Sequence, residues 1–175
     1  MNDRQLFETY REQVYLFCRY MLRSRADAED ICQEVFFKAM IADRSQVHNV
    51  KAWLFKIAAN ECNTLLRRRR NGWSKEIRSF MLSLPLGSPS VEEACEQREM
   101  VNSLHLLLDE LPLKVKQVMI LHYTAELTLP ETAEVLDVPV GTVKSRANRG
   151  LKKLKKILEE DESRHMKGEK THAGV

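Results

Sequence analysis

Residues 128–149 read TLPETAEVLDVPVGTVKSRANR, and the fold turns on how this stretch divides. Thr128 and Glu131 have the spacing of a capping box, in which the threonine hydroxyl accepts from the glutamate backbone and the glutamate side chain reaches back. Leu129, Ala133 and Leu136 then put one apolar face on a short helix ending near Asp137. Asp137-Val138-Pro139 makes a turn. Beyond it Val140, Val143, Ala147, Leu151, Leu154 and Leu158 recur at intervals of three and four, which predicts a longer helix with those residues toward a core. The opposite face carries Thr142, Lys144, Ser145, Arg146, Asn148 and Arg149 and no acid, a mixture of cations and hydrogen-bonding groups suited to base edges and phosphates. The stretch is read as a helix-turn-helix. A solvated basic hairpin would carry similar charge, but the short turn and the acid-free outer face are what entry into a major groove requires.

Upstream, Leu111-Pro112 marks a helix start, and Val115, Val118, Met119 and His122 give that helix its inner face. Ser90 and Glu93 form a further capping-box pair, opening a helix to about Asp109. Before it, Pro85-Leu86-Gly87-Ser88-Pro89 cannot propagate a helix and closes a linker that begins near Trp73. The N-terminal part reads as three more helices. Leu6, Tyr10, Val14, Phe17 and Met21 form one face over residues 4–23. Asp27 is placed to cap a second helix with Ile31, Cys32, Val35 and Ala39 inward. After a break at Asp43 to Asn49, a third helix buries Leu54, Ile57, Ala58, Cys62 and Leu65 and ends in Arg67 to Arg70 before Asn71-Gly72. No stretch alternates as a strand does. The expected fold is all-α, with two small helical domains joined by a linker: residues 1–72, linker 73–89, residues 90–160 with the helix-turn-helix, and a polar tail 161–175 expected to be disordered.

The 175 residues carry 28 Lys and Arg against 25 Asp and Glu, a net charge of only +3, but the charges are segregated. Lys144, Arg146, Arg149, Lys152, Lys153, Lys155 and Lys156 form one block, and Lys51, Lys56 and Arg67 to Arg70 another. Glu92, Glu93, Glu96, Glu99, Asp109 and Glu110 make the stretch between them acidic. Two basic surfaces with an acidic connector imply two contacts with a polyanion. Cys18, Cys32, Cys62 and Cys95 lack C-x-x-C spacing and fall in helical runs, where a thiol packs as a small apolar group. The histidines show no ligand spacing either, so no metal is expected. No run is long and apolar enough for a membrane span, and the start lacks a secretion-signal layout, so a cytoplasmic protein without direct membrane insertion is expected.

Leu111-Pro112, Thr128 to Leu136 and Val140-Gly141-Thr142-Val143-Lys144-Ser145-Arg146 closely resemble the C-terminal DNA-binding domain of extracytoplasmic-function (ECF) sigma factors. Ala28-Glu29-Asp30-Ile31-Cys32-Gln33-Glu34-Val35-Phe36 and Trp53-Leu54-Phe55-Lys56-Ile57-Ala58-Ala59-Asn60 resemble two motifs of that family's second region. The resemblance implies a dissociable promoter-specificity subunit of bacterial RNA polymerase rather than an enzyme, with core polymerase, promoter DNA and an anti-sigma factor as partners, no cofactor and no small-molecule substrate. By the same resemblance Asp30, Gln33, Glu34, Phe37 and Lys38 would dock on the polymerase clamp. Arg44, Ser45, His48, Asn49, Lys51, Trp53, Lys56 and Asn60 would engage the minus-10 element as it melts, where unstacked bases are held by stacking and edge hydrogen bonds. Trp53 reads equally well as core packing or as base contact. Arg67 to Arg70 adjoin that surface, which favours phosphate contact over plain solvation. Thr142, Lys144, Ser145, Arg146 and Arg149 would read the minus-35 element, with Arg146 and Arg149 on guanine edges.

The chain departs from the family pattern at Asp137, where a glycine is common, at Pro139 for a serine cap, at Thr132 for an aliphatic residue and at Gly150 for an alanine. These leave open the first residue of the recognition helix and the role of Thr142. Trp73, Ile77, Phe80, Met81, Leu82, Leu84 and Leu86 make the linker apolar enough to need cover, from the protein's own domains, an anti-sigma factor or the polymerase. The main alternative function is a stand-alone helix-turn-helix regulator, which predicts a dimer on a palindrome, yet no dimerisation helix is evident. An RNA-binding scaffold would leave the acidic motif around Asp30 unused.

Overall fold

A computed structural model describes residues 2–72 and 103–172. The linker, Cys95 and the Ser90–Glu93 capping pair lie outside the described residues. Those described are helical, with no strand among them, and the chain divides into two units between Val101 and Asn102.

The first unit holds α1 (Asp3–Met21), α2 (Arg25–Ile41) and α3 (Val50–Gly72). Asn2 opens α1 with a capping box: its Oδ1 accepts from the Gln5 N–H at 2.8 Å, and the Gln5 side chain accepts from the Asn2 N–H at 3.1 Å. Leu6, Val14, Phe17 and Met21 are buried, as their spacing predicts. α2 starts earlier than Asp27. Ser24 is the cap, its hydroxyl accepting from the Asp27 N–H at 3.2 Å, and the Asp27 carboxylate instead takes the Arg69 guanidinium at 2.7 Å. Sequence reasoning passed over Ser24 because either residue can cap, and the choice depends on a partner 42 positions away. Asn49 caps α3, its Oδ1 accepting from the Ala52 N–H at 3.0 Å. Phe17 meets Phe55 edge to face at 5.6 Å between ring centres, at the heart of the core. Cys18, Cys32 and Cys62 are buried free thiols. A hydrogen bond with Cys62, together with burial, pushes the Cys18 thiol up, and burial pushes Cys32 up to about 12.

The second unit holds α4 (residues 103–109), α5 (Leu113–Met119), a π-helical turn (Ile120–Thr124), α6 (Leu129–Leu136) and α7 (Val140–His172). In the π turn the Ala125 N–H donates five residues back to the Ile120 carbonyl at 2.9 Å. His122 sits in this turn, and its Nδ1–H donates to the Leu127 carbonyl at 2.6 Å. The expected capping box opens α6: the Thr128 hydroxyl accepts from the Glu131 N–H at 3.3 Å, and the Thr128 N–H donates to Glu131 Oε2 at 2.7 Å. Asp137 ends α6 in the left-handed region, φ 51° and ψ 53°, which explains why glycine suits that position. Val118, Ala133, Val143 and Ala147 form the core, with Leu129, Leu136 and Val138 against it.

Two features of α7 differ from the sequence reading. Val143 and Ala147 are buried and Leu154 half-buried as expected, but Val140, Leu151 and Leu158 are exposed, and the buried face takes in Gly150 and half-buried Ile157 in their place. The rotation follows from Gly150, which lets α7 press onto α5. The helix also continues past Glu160, where polar composition predicts disorder. Lys155 to Glu159 and Lys156 to Glu160, each 3.7 Å, are ion pairs at helical spacing, and the Ser163 hydroxyl donates to the Glu159 carbonyl at 2.7 Å.

Candidate nucleic-acid interface

α7 begins at Val140: the N–H groups of Thr142 and Val143 both donate to the Pro139 carbonyl, at 2.9 and 3.2 Å. Pro139 therefore serves as the residue before the helix, where its missing N–H costs nothing. With that start settled, Thr142 lies in the first turn and is half-buried. Lys144, Ser145, Asn148 and Arg149 are exposed and Arg146 is half-buried. The Ser145 hydroxyl donates to the Thr142 carbonyl at 2.9 Å. Part of the basic block serves the fold itself. The Lys153 ammonium donates to the Glu110 carbonyl, securing α7 to the end of α4, while Lys155 and Lys156 take the ion pairs already described.

On the first unit, Trp53, Lys56, Asn60 and Arg67 recur at intervals of three, four and seven, one stripe of α3. Lys56, Asn60, Arg67 and Arg68 are exposed, whereas Trp53 and Lys51 are half-buried. Asn63 lies on the same stripe and is half-buried. Arg69 is tied to Asp27 on α2.

The loop before α3 is internally bonded. The Ser45 N–H and hydroxyl both donate to the Asp43 carboxylate, at 2.9 and 3.1 Å, and hold that carboxyl below its ordinary range. The Val47 N–H donates to the Arg44 carbonyl at 3.1 Å. Arg44 pairs with Asp3 at the start of α1, Asn49 is the α3 cap, and His48 is exposed.

Along the outer face of α2, Asp30 and Gln33 are exposed and Glu34 is half-buried. Phe37 is 60% exposed. Lys38 bridges to Glu61 of α3 at 2.7 Å and to Glu34 at 3.3 Å; hydrogen bonding to Glu61 leads the causes that raise its pKa. Ile41, four residues beyond Phe37, is 70% exposed and was not anticipated, since the spacing alone does not tell an outward from an inward turn. Among the described residues no group of three His, Cys, Asp or Glu side chains could hold a metal, and no helix is long and apolar enough to cross a membrane.

Residues 6–72 match the Sigma-70 region 2 family and residues 102–154 match Sigma-70, region 4. Over 162 residues the chain is 32% identical to the ECF RNA polymerase sigma factor SigW of Bacillus subtilis (strain 168), covering 87% of either chain. The chain belongs to the ECF RNA polymerase sigma factors. The sigma factor therefore works in transcription initiation. Its fold is shared with RpoE, solved in complex with the anti-sigma factor NepR from Bartonella quintana (TM-score 0.71, 23% identity, 89% of this chain and 96% of that one). It is shared also with CnrH, solved in complex with the cytosolic domain of CnrY (TM-score 0.67, 21% identity, 91% and 88%).

Proposed function

We propose that this sigma factor binds core RNA polymerase through the outer face of α2 and reads two promoter elements. Asp30, Gln33, Glu34 and Phe37 supply the docking face, with Lys38 holding it against α3 through Glu61. His48, Lys51, Trp53, Lys56, Asn60, Arg67 and Arg68 engage the minus-10 element, on a loop shaped by Ser45 and Asn49. Thr142, Lys144, Ser145, Arg146 and Arg149 take the minus-35 element. Residues 1–72 thus serve polymerase and minus-10 binding, and 90–160 minus-35 binding, across the linker 73–89. The work is binding alone, without bond chemistry, and is carried out in the cytoplasm. An anti-sigma factor controls it, a reading supported by the RpoE likeness.

The observation that carries this reading is the outer face of α7, where Lys144, Ser145, Arg146 and Arg149 reach solvent on a helix whose other side is closed by the unit's core. A bidentate arginine–guanine pair discriminates bases by roughly 1–3 kcal/mol, whereas a lysine–phosphate contact discriminates none. With sigma-free core polymerase, Arg146→Ala should relax preference at one minus-35 position, and Lys144→Ala should weaken all promoters alike. The reverse pattern, or promoter-independent binding without initiation, rejects the reading.

A further inference from the structure

The loop between α2 and α3 carries residues that the proposed function sends to DNA, yet its arginine is already engaged. The Arg44 guanidinium donates to the Asp3 carboxylate across 41 positions of sequence, and only 25% of the Arg44 side chain is exposed. A phosphate would have to displace that carboxylate from a guanidinium already partly out of water. Asp3 is the first residue of α1, next to the Asn2 capping box, where a carboxylate is favoured by the helix dipole. Within the loop, Asp43 takes both donors of Ser45, the Arg44 carbonyl takes the Val47 N–H, and Asn49 caps α3. Gln46 and His48 are left exposed.

We propose that Asp3 is a positioning residue for promoter reading, holding loop residues 43–49 in register with the start of α3 through its ion pair with Arg44. Arg44 is then a strut and not a phosphate contact, and His48 and Gln46 are the loop side chains presented to DNA. This rests on the minus-10 reading above. Its logic is preorganisation: a loop already in the bound shape loses less conformational freedom when a base is captured.

Two measurements test it. In the isolated full chain, Asp3→Ala and Arg44→Ala should each speed amide exchange over Ser45 to His48, and Asp3→Glu should restore the slow rate. In holoenzyme, both alanine variants should lower initiation by about twofold to fivefold, the range an exposed ion pair carries, on promoters varied at minus-10. Neither should alter ranking over minus-35 variants, and the double variant should be no worse than either single one. Unchanged loop exchange in Asp3→Ala overturns the proposal. So does an Arg44→Ala defect that Asp3→Ala does not share and that flattens the salt dependence by about one phosphate contact. Failure of the wild type to initiate anywhere would reject the sigma-factor reading instead, while the exchange data still decide the role of Asp3.

Discussion

Gly150 lies directly against Met119: a β-carbon at position 150 would stand 2.5 Å from the Met119 Sδ, 2.8 Å from its Cγ and 3.2 Å from the Val115 Cγ1. α7 therefore approaches α5 so closely that a β-carbon at 150 would force the Met119 side chain to shift, which is why its buried face is turned toward Gly150. Alanine would bring about 1 kcal/mol of helix propensity but must displace a buried methionine, and overpacking costs about 1–3 kcal/mol. Gly150→Ala should thus lower stability by about 1 kcal/mol in urea unfolding. In a Met119→Ala background the same change should raise it by about 1 kcal/mol. An equal effect in both backgrounds would show that the contact does not limit the helix approach.

Thr132 is fully buried in α6, and its hydroxyl has no hydrogen-bond partner among the described residues. Valine keeps the branched shape and removes the polar atom. Thr132→Val should stabilise the protein by about 1 kcal/mol, the lower end of what an unsatisfied buried hydroxyl costs. Thermal melting that shows a loss would mean that the hydroxyl is satisfied in solution.

Lys116 is buried and donates to Asp109 at 2.5 Å, with His105 Nε2 3.7 Å from the same carboxylate. Removing Asp109 would leave an ammonium buried without its counter-charge. Asp109→Ala should cost about 3–5 kcal/mol, while Asp109→Leu combined with Lys116→Met should recover most of it. Denaturant midpoints for the three proteins decide the matter; a double variant as weak as the single one would contradict the ion-pair account.

The Asp43 carboxyl is held below its ordinary pKa first by the Ser45 N–H and then by the Ser45 hydroxyl. A depressed carboxyl pKa contributes stability above the unfolded value, and that contribution is lost as pH falls through the folded one. Ser45→Ala removes only the hydroxyl, so carbon-detected NMR titration should show Asp43 moving part of the way back up. A full return would mean that the backbone bond does not form in solution.

What the sequence made legible was local. The two capping boxes at Asn2 and Thr128 act within four residues, though only the second was foreseen, and the α1 face from Leu6 to Met21 follows from period alone. The need for an αL residue at Asp137 was visible as a missing glycine. The unforeseen features depend on contacts between distant residues: Arg69 with Asp27, Arg44 with Asp3, Lys153 with Glu110. Each engages a cation that looked available, Arg69 and Lys153 from the basic blocks and Arg44 from the loop, because charge along a chain carries no record of which acid folds beside it. The α7 stripe was misjudged by part of a turn for the same reason, since an apolar side chain can face either a neighbour or water.

The unbroken course of α7 has a mechanical consequence. At 1.5 Å per residue, Val140 to His172 is a rod about 50 Å long, with the turn proposed to read bases at one end and its restraints, Gly150 on Met119 and Lys153 on Glu110, partway along. Such a rod is a lever with a fulcrum. A load placed on the far arm, beyond Lys156, would tilt the opposite arm without touching any residue proposed to meet DNA.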